Sequence, residues 1–125
     1  MKIIFVIPTY NDWESLKILS GQLKEISIKE NWNDPELIIV NDSSTQELKT
    51  NPNPFALKSK ILNLFSNQGN QKAITIGLSY INENIKDYDY VIIMDSDGED
   101  KPSDVVRLIK ETKKNKMKKI VLSLR

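Results

Sequence analysis

Neither cysteine nor histidine occurs anywhere in this chain. Without cysteine there is no disulfide, no thiol nucleophile and no thiolate metal site. A metal held here must therefore sit among oxygen ligands, which favours Mg²⁺, Mn²⁺ or Ca²⁺ over zinc. Charge of one sign is lacking too: 18 basic residues stand against 17 acidic ones, so no overall field points to nucleic acid as a partner. No apolar run approaches the roughly 18 residues that a membrane span requires. The apolar start, residues 3–7, stops at Pro8-Thr9-Tyr10-Asn11-Asp12 with no small-residue cleavage pattern, so it reads as a buried strand rather than a signal peptide. The expected location is cytoplasmic. At 125 residues the chain is one domain's worth, with no internal repeat, low-complexity tract or interdomain linker.

Two kinds of segment alternate along the sequence. Short continuous apolar runs at 3–7, 37–40, 60–65, 90–94 and 120–124 read as strands buried on both faces. Between them lie amphipathic stretches. Leu16, Leu19, Leu23 and Ile26 recur at helical spacing after Asn11, a candidate N-cap. Ile74, Leu78, Ile81 and Ile85 form a second stripe, and Val105, Leu108, Ile109 and Thr112 a third, with Pro102 where a first helical turn tolerates it. Residues 43–57, containing Asn51-Pro52-Asn53-Pro54, read mostly as loop. This alternation predicts an α/β fold: a Rossmann-like, mostly parallel sheet with helices on both faces. The last run reaches the chain end at Arg125, which suggests a fold cut off after its fifth strand.

Ligands of open parallel sheets bind beyond the carboxyl ends of the strands. Four candidate strands are followed directly by polar clusters: Pro8-Thr9-Tyr10-Asn11-Asp12, Asn41-Asp42-Ser43-Ser44, Ser66-Asn67-Gln68-Gly69-Asn70, and Asp95-Ser96-Asp97-Gly98-Glu99-Asp100. All four would open onto one edge of the sheet. Asp95 and Asp97, two apart at a strand end, can both turn toward one hard cation, Mg²⁺ or Mn²⁺, with phosphate oxygens completing its shell. The plainer reading is a solvated acidic turn before a helix, with Asp100 or its neighbours favouring the helix N-terminus. Asp42 is either part of a turn or a carboxylate that accepts the N–H of a nucleobase. Thr9 and Tyr10 could line a base pocket, with Tyr10 stacking on the base. Lys72 falls in the first turn of the second amphipathic helix, where a cation and a helix N-terminus together suit a diphosphate, or it is an ordinary surface lysine. The run Lys110, Lys113, Lys114, Lys116, Lys118 and Lys119 reads as a solvated helix end, with a weak pull toward anionic lipid as the alternative.

These clusters, in this order, resemble the family 2 glycosyltransferases of GT-A fold. The matching pieces are Ile7-Pro8-Thr9-Tyr10-Asn11-Asp12, Ile38-Ile39-Val40-Asn41-Asp42-Ser43-Ser44, Asn67-Gln68-Gly69-Asn70-Gln71-Lys72-Ala73-Ile74 and Val91-Ile92-Ile93-Met94-Asp95-Ser96-Asp97. Within that family, residues 65–78 and the Met94-Asp95-Ser96-Asp97 segment are most similar to the polyprenyl-phosphate (dolichyl-phosphate-like) sugar transferases. The resemblance implies that the chain is the nucleotide-sugar-binding part of one GT-A domain, residues 1–125, taking a UDP- or GDP-sugar. It implies that Pro8, Thr9, Tyr10, Asp12 and Asp42 surround the nucleoside, that Asp95 lies near ribose, diphosphate and metal, and that Asp97 binds the metal. It further implies transfer with inversion, a base beyond residue 125, and as acceptor a polyprenyl phosphate or a glycan, the lipid phosphate being reached from the inner face of the membrane. Two departures stand out: Asn41 where the family often has a first aspartate, and Gly98-Glu99-Asp100 in place of a more apolar continuation. The alternatives are a non-catalytic nucleotide-binding module and a phospho-acceptor receiver-like domain. The latter would need paired acids after the first strand and a lysine after the last, and the sequence has neither.

Overall fold

A computed structural model of the chain describes residues 1–113 and 120–124. The elements are β1 (Ile3–Thr9), α1 (Trp13–Lys29), β2 (Glu36–Asn41), β3 (Lys58–Asn63), α2 (Asn70–Asn84), β4 (Tyr90–Ile93), α3 (Pro102–Thr112) and β5 (Ile120–Ser123). One five-stranded sheet has the order β3-β2-β1-β4-β5, and every neighbouring pair is parallel. The α/β expectation holds, and the sheet is parallel throughout its described pairings.

Strand parity sorts the core into two layers. Ile3, Phe5 and Ile7 of β1, with Leu37 and Ile39 of β2, pack under Leu16, Leu19 and Leu23 of α1 and Val105 and Ile109 of α3. Ile4 and Val6, with Ile38, Val91 and Ile93, face the opposite way, against Ile81, Ile74 and Leu78 of α2. Helices therefore cover both faces, as the pattern predicted. A parallel pair needs a crossover between its strands, usually helical. The link from β2 to β3 has no helix; Phe55 and Leu57 of that loop fill the α1 layer in its place.

The expectation that all five strands are buried on both faces fails at the edges. β3 begins two residues earlier than its apolar run and ends at Asn63, and Lys58, Lys60 and Asn63 are exposed. Phe65, which the run had included, is fully exposed. An edge strand has one neighbour and little helix above it, and its lysines deter pairing with another chain. On the other edge, Val121 of β5 is also exposed. Lys114, Lys116, Lys118 and Lys119 of the lysine run lie outside the described residues, as does Arg125; Lys110 is exposed and pairs with Glu30 at 3.8 Å. Among the described residues, no helix is long and apolar enough to cross a membrane.

One position sets how closely α2 approaches the sheet. A Cβ at Gly77 would stand 2.7 Å from Val6 Cγ1 and 3.1 Å from Val40 Cγ2. Both valines are buried and β-branched, so neither can rotate away freely. Gly77→Ala is expected to destabilise the fold by about 1–3 kcal/mol, despite alanine's better helix propensity, because overpacking outweighs that gain. Urea denaturation of the two chains checks this.

Candidate functional site at the carboxyl edge of the sheet

The strand order reverses between β1 and β4, and this is where an open parallel sheet offers a crevice. In this chain a proline stands where the ladder between these two strands stops. Pairing of β1 with β4 runs from Ile3–Tyr90 to Val6–Ile93, and the Met94 N–H still donates to the Val6 carbonyl at 3.1 Å. In a parallel ladder the next bond would come from the amide of residue 8 to the Met94 carbonyl. Pro8 has no N–H, so the ladder ends there.

All four polar clusters meet at this edge, joined by hydrogen bonds between residues far apart in sequence. The Asp42 N–H donates to the Thr9 carbonyl at 2.9 Å, tying β2 to β1. The Ser96 hydroxyl donates to Asp12 Oδ2 at 3.2 Å, tying the end of β4 to the end of β1. Asp42 Oδ1 accepts the Gln68 N–H at 2.6 Å and Oδ2 the Gly69 N–H at 2.9 Å. The Asn67 amide also donates to the Asp42 carbonyl at 3.2 Å. Gly69 opens α2 with a φ of 86°, a left-handed conformation that favours glycine. Asp42 thus anchors the turn that starts α2, and each carboxylate oxygen retains acceptor capacity beyond its single bond.

Parity explains the different employment of Asn41 and Asp42. Ile39 faces α1, so Asn41 falls on that side, while Asp42 falls on the side of α2. Asn41 Nδ2 donates to Asn63 Oδ1 at 2.9 Å, and Asn41 Oδ1 accepts the Ser44 N–H at 3.0 Å. The two asparagines share a cavity of about 350 Å³ with Trp13, Ser44, Gln46 and Ile61. Among the other expected site residues, Pro8 and Thr9 are buried, Tyr10 is half in solvent, and Lys72 is exposed in the first turn of α2.

The acidic loop after β4 holds a wider donor set than the Asp95–Asp97 pair. Asp95, Asp97 and Glu99 each place a carboxylate oxygen within 4.8 Å of the others. The Glu99 N–H donates to Asp97 Oδ1 at 3.0 Å, and Gly98 between them has a φ of 88°, which turns the backbone sharply. An all-carboxylate set of this kind fits Mg²⁺ or Mn²⁺. Asp100 lies two residues before α3, near the helix N-terminus as the plainer reading had it, and its carboxylate turns back into the loop. Its Oδ2 accepts the Asp95 N–H at 2.8 Å, and Lys101 is the N-cap residue, with Pro102 in the first turn as expected.

Asn11 is not the N-cap of α1; Asp12 takes that position, and its side chain turns to Ser96 instead of the helix. The Asn11 φ of 60° swings its amide away from the helix toward residues 44–46. Sequence reasoning placed Ser96 and Glu99 on this edge without giving either a role, and read Asn63 as part of a buried strand. The alternation Asp-x-Asp-x-Glu was a usable signal for Glu99; Ser96 and Asn63 carry no local one.

A parallel α/β sheet with helices on both faces and a carboxylate-rich loop beside its switch point defines the class: an open α/β domain of the kind that binds ligands at the carboxyl edge of its sheet. The sequence model of glycosyl transferase family 2 matches residues 4–124, and the chain belongs to that family. This decides against the receiver-like alternative. An uncharacterized protein of Methanocaldococcus jannaschii is 26% identical over 114 residues, covering 87% of this chain and 46% of that protein. The uncharacterized glycosyltransferase YkcC of Bacillus subtilis is 30% identical over 113 residues, covering 86% of this chain and 32% of YkcC. The chain thus spans less than half the length of these curated relatives. Among solved structures, S. aureus TarS 1–349 superposes with a TM-score of 0.60 at 20% identity, covering 91% of this chain and 33% of that one. That likeness bears on the fold alone, and it agrees with the GT-A expectation.

The double use of Asp42 carries a stability consequence. Asp42 is buried, and Asp42→Ala strips charge-assisted bonds from two backbone amides. A loss of about 2–3 kcal/mol is expected in chemical denaturation, with faster hydrogen exchange at Gln68 and Gly69.

Proposed function

We propose that this chain forms the nucleotide-sugar-binding part of a glycosyltransferase that moves a sugar from a UDP- or GDP-sugar to an acceptor, with inversion at the anomeric carbon. One observation carries the reading: three strand ends and the start of α2 are bonded together at the carboxyl edge, where the β1–β4 ladder stops, with a carboxylate cluster in the loop after β4. Pro8, Thr9, Tyr10, Asp12 and Asp42 are assigned to the nucleoside, with Tyr10 as the exposed ring on which a base stacks. Lys72 and the N-terminus of α2 are assigned to the diphosphate. Asp95 lies toward ribose and diphosphate, and Asp95 and Asp97 hold the metal. Mg²⁺ or Mn²⁺, when bound there, supplies charge neutralisation for a departing nucleoside diphosphate. The resemblance to polyprenyl-phosphate sugar transferases supports a lipid phosphate as acceptor and a cytoplasmic site at the membrane's inner face. The acceptor's base is assigned to chain beyond residue 125. The residue-level match to the family's motifs supports these roles.

Calorimetric titration of the chain with UDP, GDP and ADP, with and without Mn²⁺, tests the reading. Metal-dependent binding of UDP or GDP is expected, lost in Asp97→Ala. Binding that ignores both metal and Asp97 would remove the metal site from the proposal. Sugar transfer by a longer protein containing this chain separates an enzyme from a non-catalytic binding module.

A further inference from the structure

Asn11 stands between two residues of the proposed nucleoside pocket, Tyr10 and Asp12, and its side chain belongs to neither the helix nor the core. Its left-handed φ of 60° is one that asparagine tolerates better than most residues. Both ends of its amide are used. Nδ2 donates to Thr45 Oγ1 at 2.9 Å, Oδ1 accepts the Gln46 N–H at 2.9 Å, and its own N–H donates to Ser44 Oγ at 3.0 Å. The tie continues on both sides. The Gln46 carbonyl accepts Trp13 Nε1–H at 3.0 Å, and the Ser44 N–H reaches Asn41 Oδ1 at 3.0 Å. Ser44 and Gln46 also wall the cavity of about 350 Å³ to which Asn41 and Asn63 contribute.

We propose that Asn11 is a positioning residue for base recognition: it locks the Tyr10 turn to the 44–46 wall, so that a nucleobase meets one preformed surface. This rests on the placement of the nucleoside argued under Proposed function. A wall fixed beforehand spares the ordering cost that a mobile one imposes on binding. The diphosphate is assigned elsewhere, to α2 and the loop after β4, and those contacts are common to every nucleoside diphosphate. Asn11 therefore governs discrimination among bases more than affinity for nucleotides in general.

The test is calorimetric titration of UDP, GDP and ADP in the presence of Mn²⁺, on the wild type, Asn11→Gly and Thr45→Val. Glycine keeps the left-handed backbone without strain, so the first variant deletes only the side-chain clamp. Valine removes only the acceptor at residue 45, which is exposed. In Asn11→Gly the preferred nucleotide is expected to weaken about tenfold while the others stay nearly unchanged, narrowing the preference. Thr45→Val shifts the same ratio in the same direction by less, and it decides the matter if Asn11→Gly does not fold. Equal weakening of all three nucleotides, or an unaltered ratio in the variants, overturns the inference and leaves the proposed function standing. Wild-type binding with no preference also overturns the inference alone. No binding of any nucleotide by the wild type overturns both.

Discussion

The central strand has to satisfy two opposed demands, and the rest of the molecule is arranged around them. β1 is buried along its whole length, from Ile3 to Thr9, so each of its backbone groups needs a partner within the sheet. Yet its pairing with β4 stops at Val6–Ile93, short of its own end at Thr9. Pro8 meets both demands because it offers no donor at the rung where the ladder stops. On its other side β1 stays in register with β2 through Thr9 and Asn41, so the release is one-sided. At the resulting edge the ladder continues on the β2 side, while on the β4 side the Ser96–Asp12 bond links the two chains beyond it.

Carboxylates at this edge fall into two groups by what they touch. Asp12, Asp42 and Asp100 each accept a hydrogen bond from a residue at least five positions away, and these bonds hold the loops to one another. Asp97 and Glu99 are exposed and Asp95 partly so, and these three crowd together. Like charges a few ångströms apart repel by about 1 kcal/mol per pair in a water-like medium. A turn can bear that cost while solvent screens it, and a cation that replaces the solvent turns repulsion into binding energy. The scaffolding acids thus fix where the solvent-facing acids stand.

Much of the architecture was legible because it depends on periodicity. The apolar runs at residues 3–7, 37–40 and 90–94 are buried strands, and the stripes beginning at Leu16, Ile74 and Val105 are helices facing the core. Hydrophobic spacing fails where an apolar residue lies at an edge. Ile61 and Phe65 look alike in sequence, but one packs against the core and the other meets solvent. The four polar clusters were readable as strand ends, and the strand–helix alternation placed them on one side of the sheet.

Pattern could not say which polar residue bonds to which. Asn11 precedes a helix and looks like its cap, but its left-handed backbone sends it to residues 44–46. Asn41 and Asp42 are neighbours in the chain and fall on opposite faces, one beside a cavity and one bound to the start of α2. Ser96 matters only because Asp12, 84 positions earlier, lies beside it. By itself the sequence determined the α/β class, the burial of the central strands and the residue types available for a metal and a nucleotide, because these follow from local spacing and side-chain chemistry. Only the tertiary structure decided the partners of the polar residues. Hydrogen bonds are short and directional, and their partners here are brought together by strand order and not by nearness in the chain.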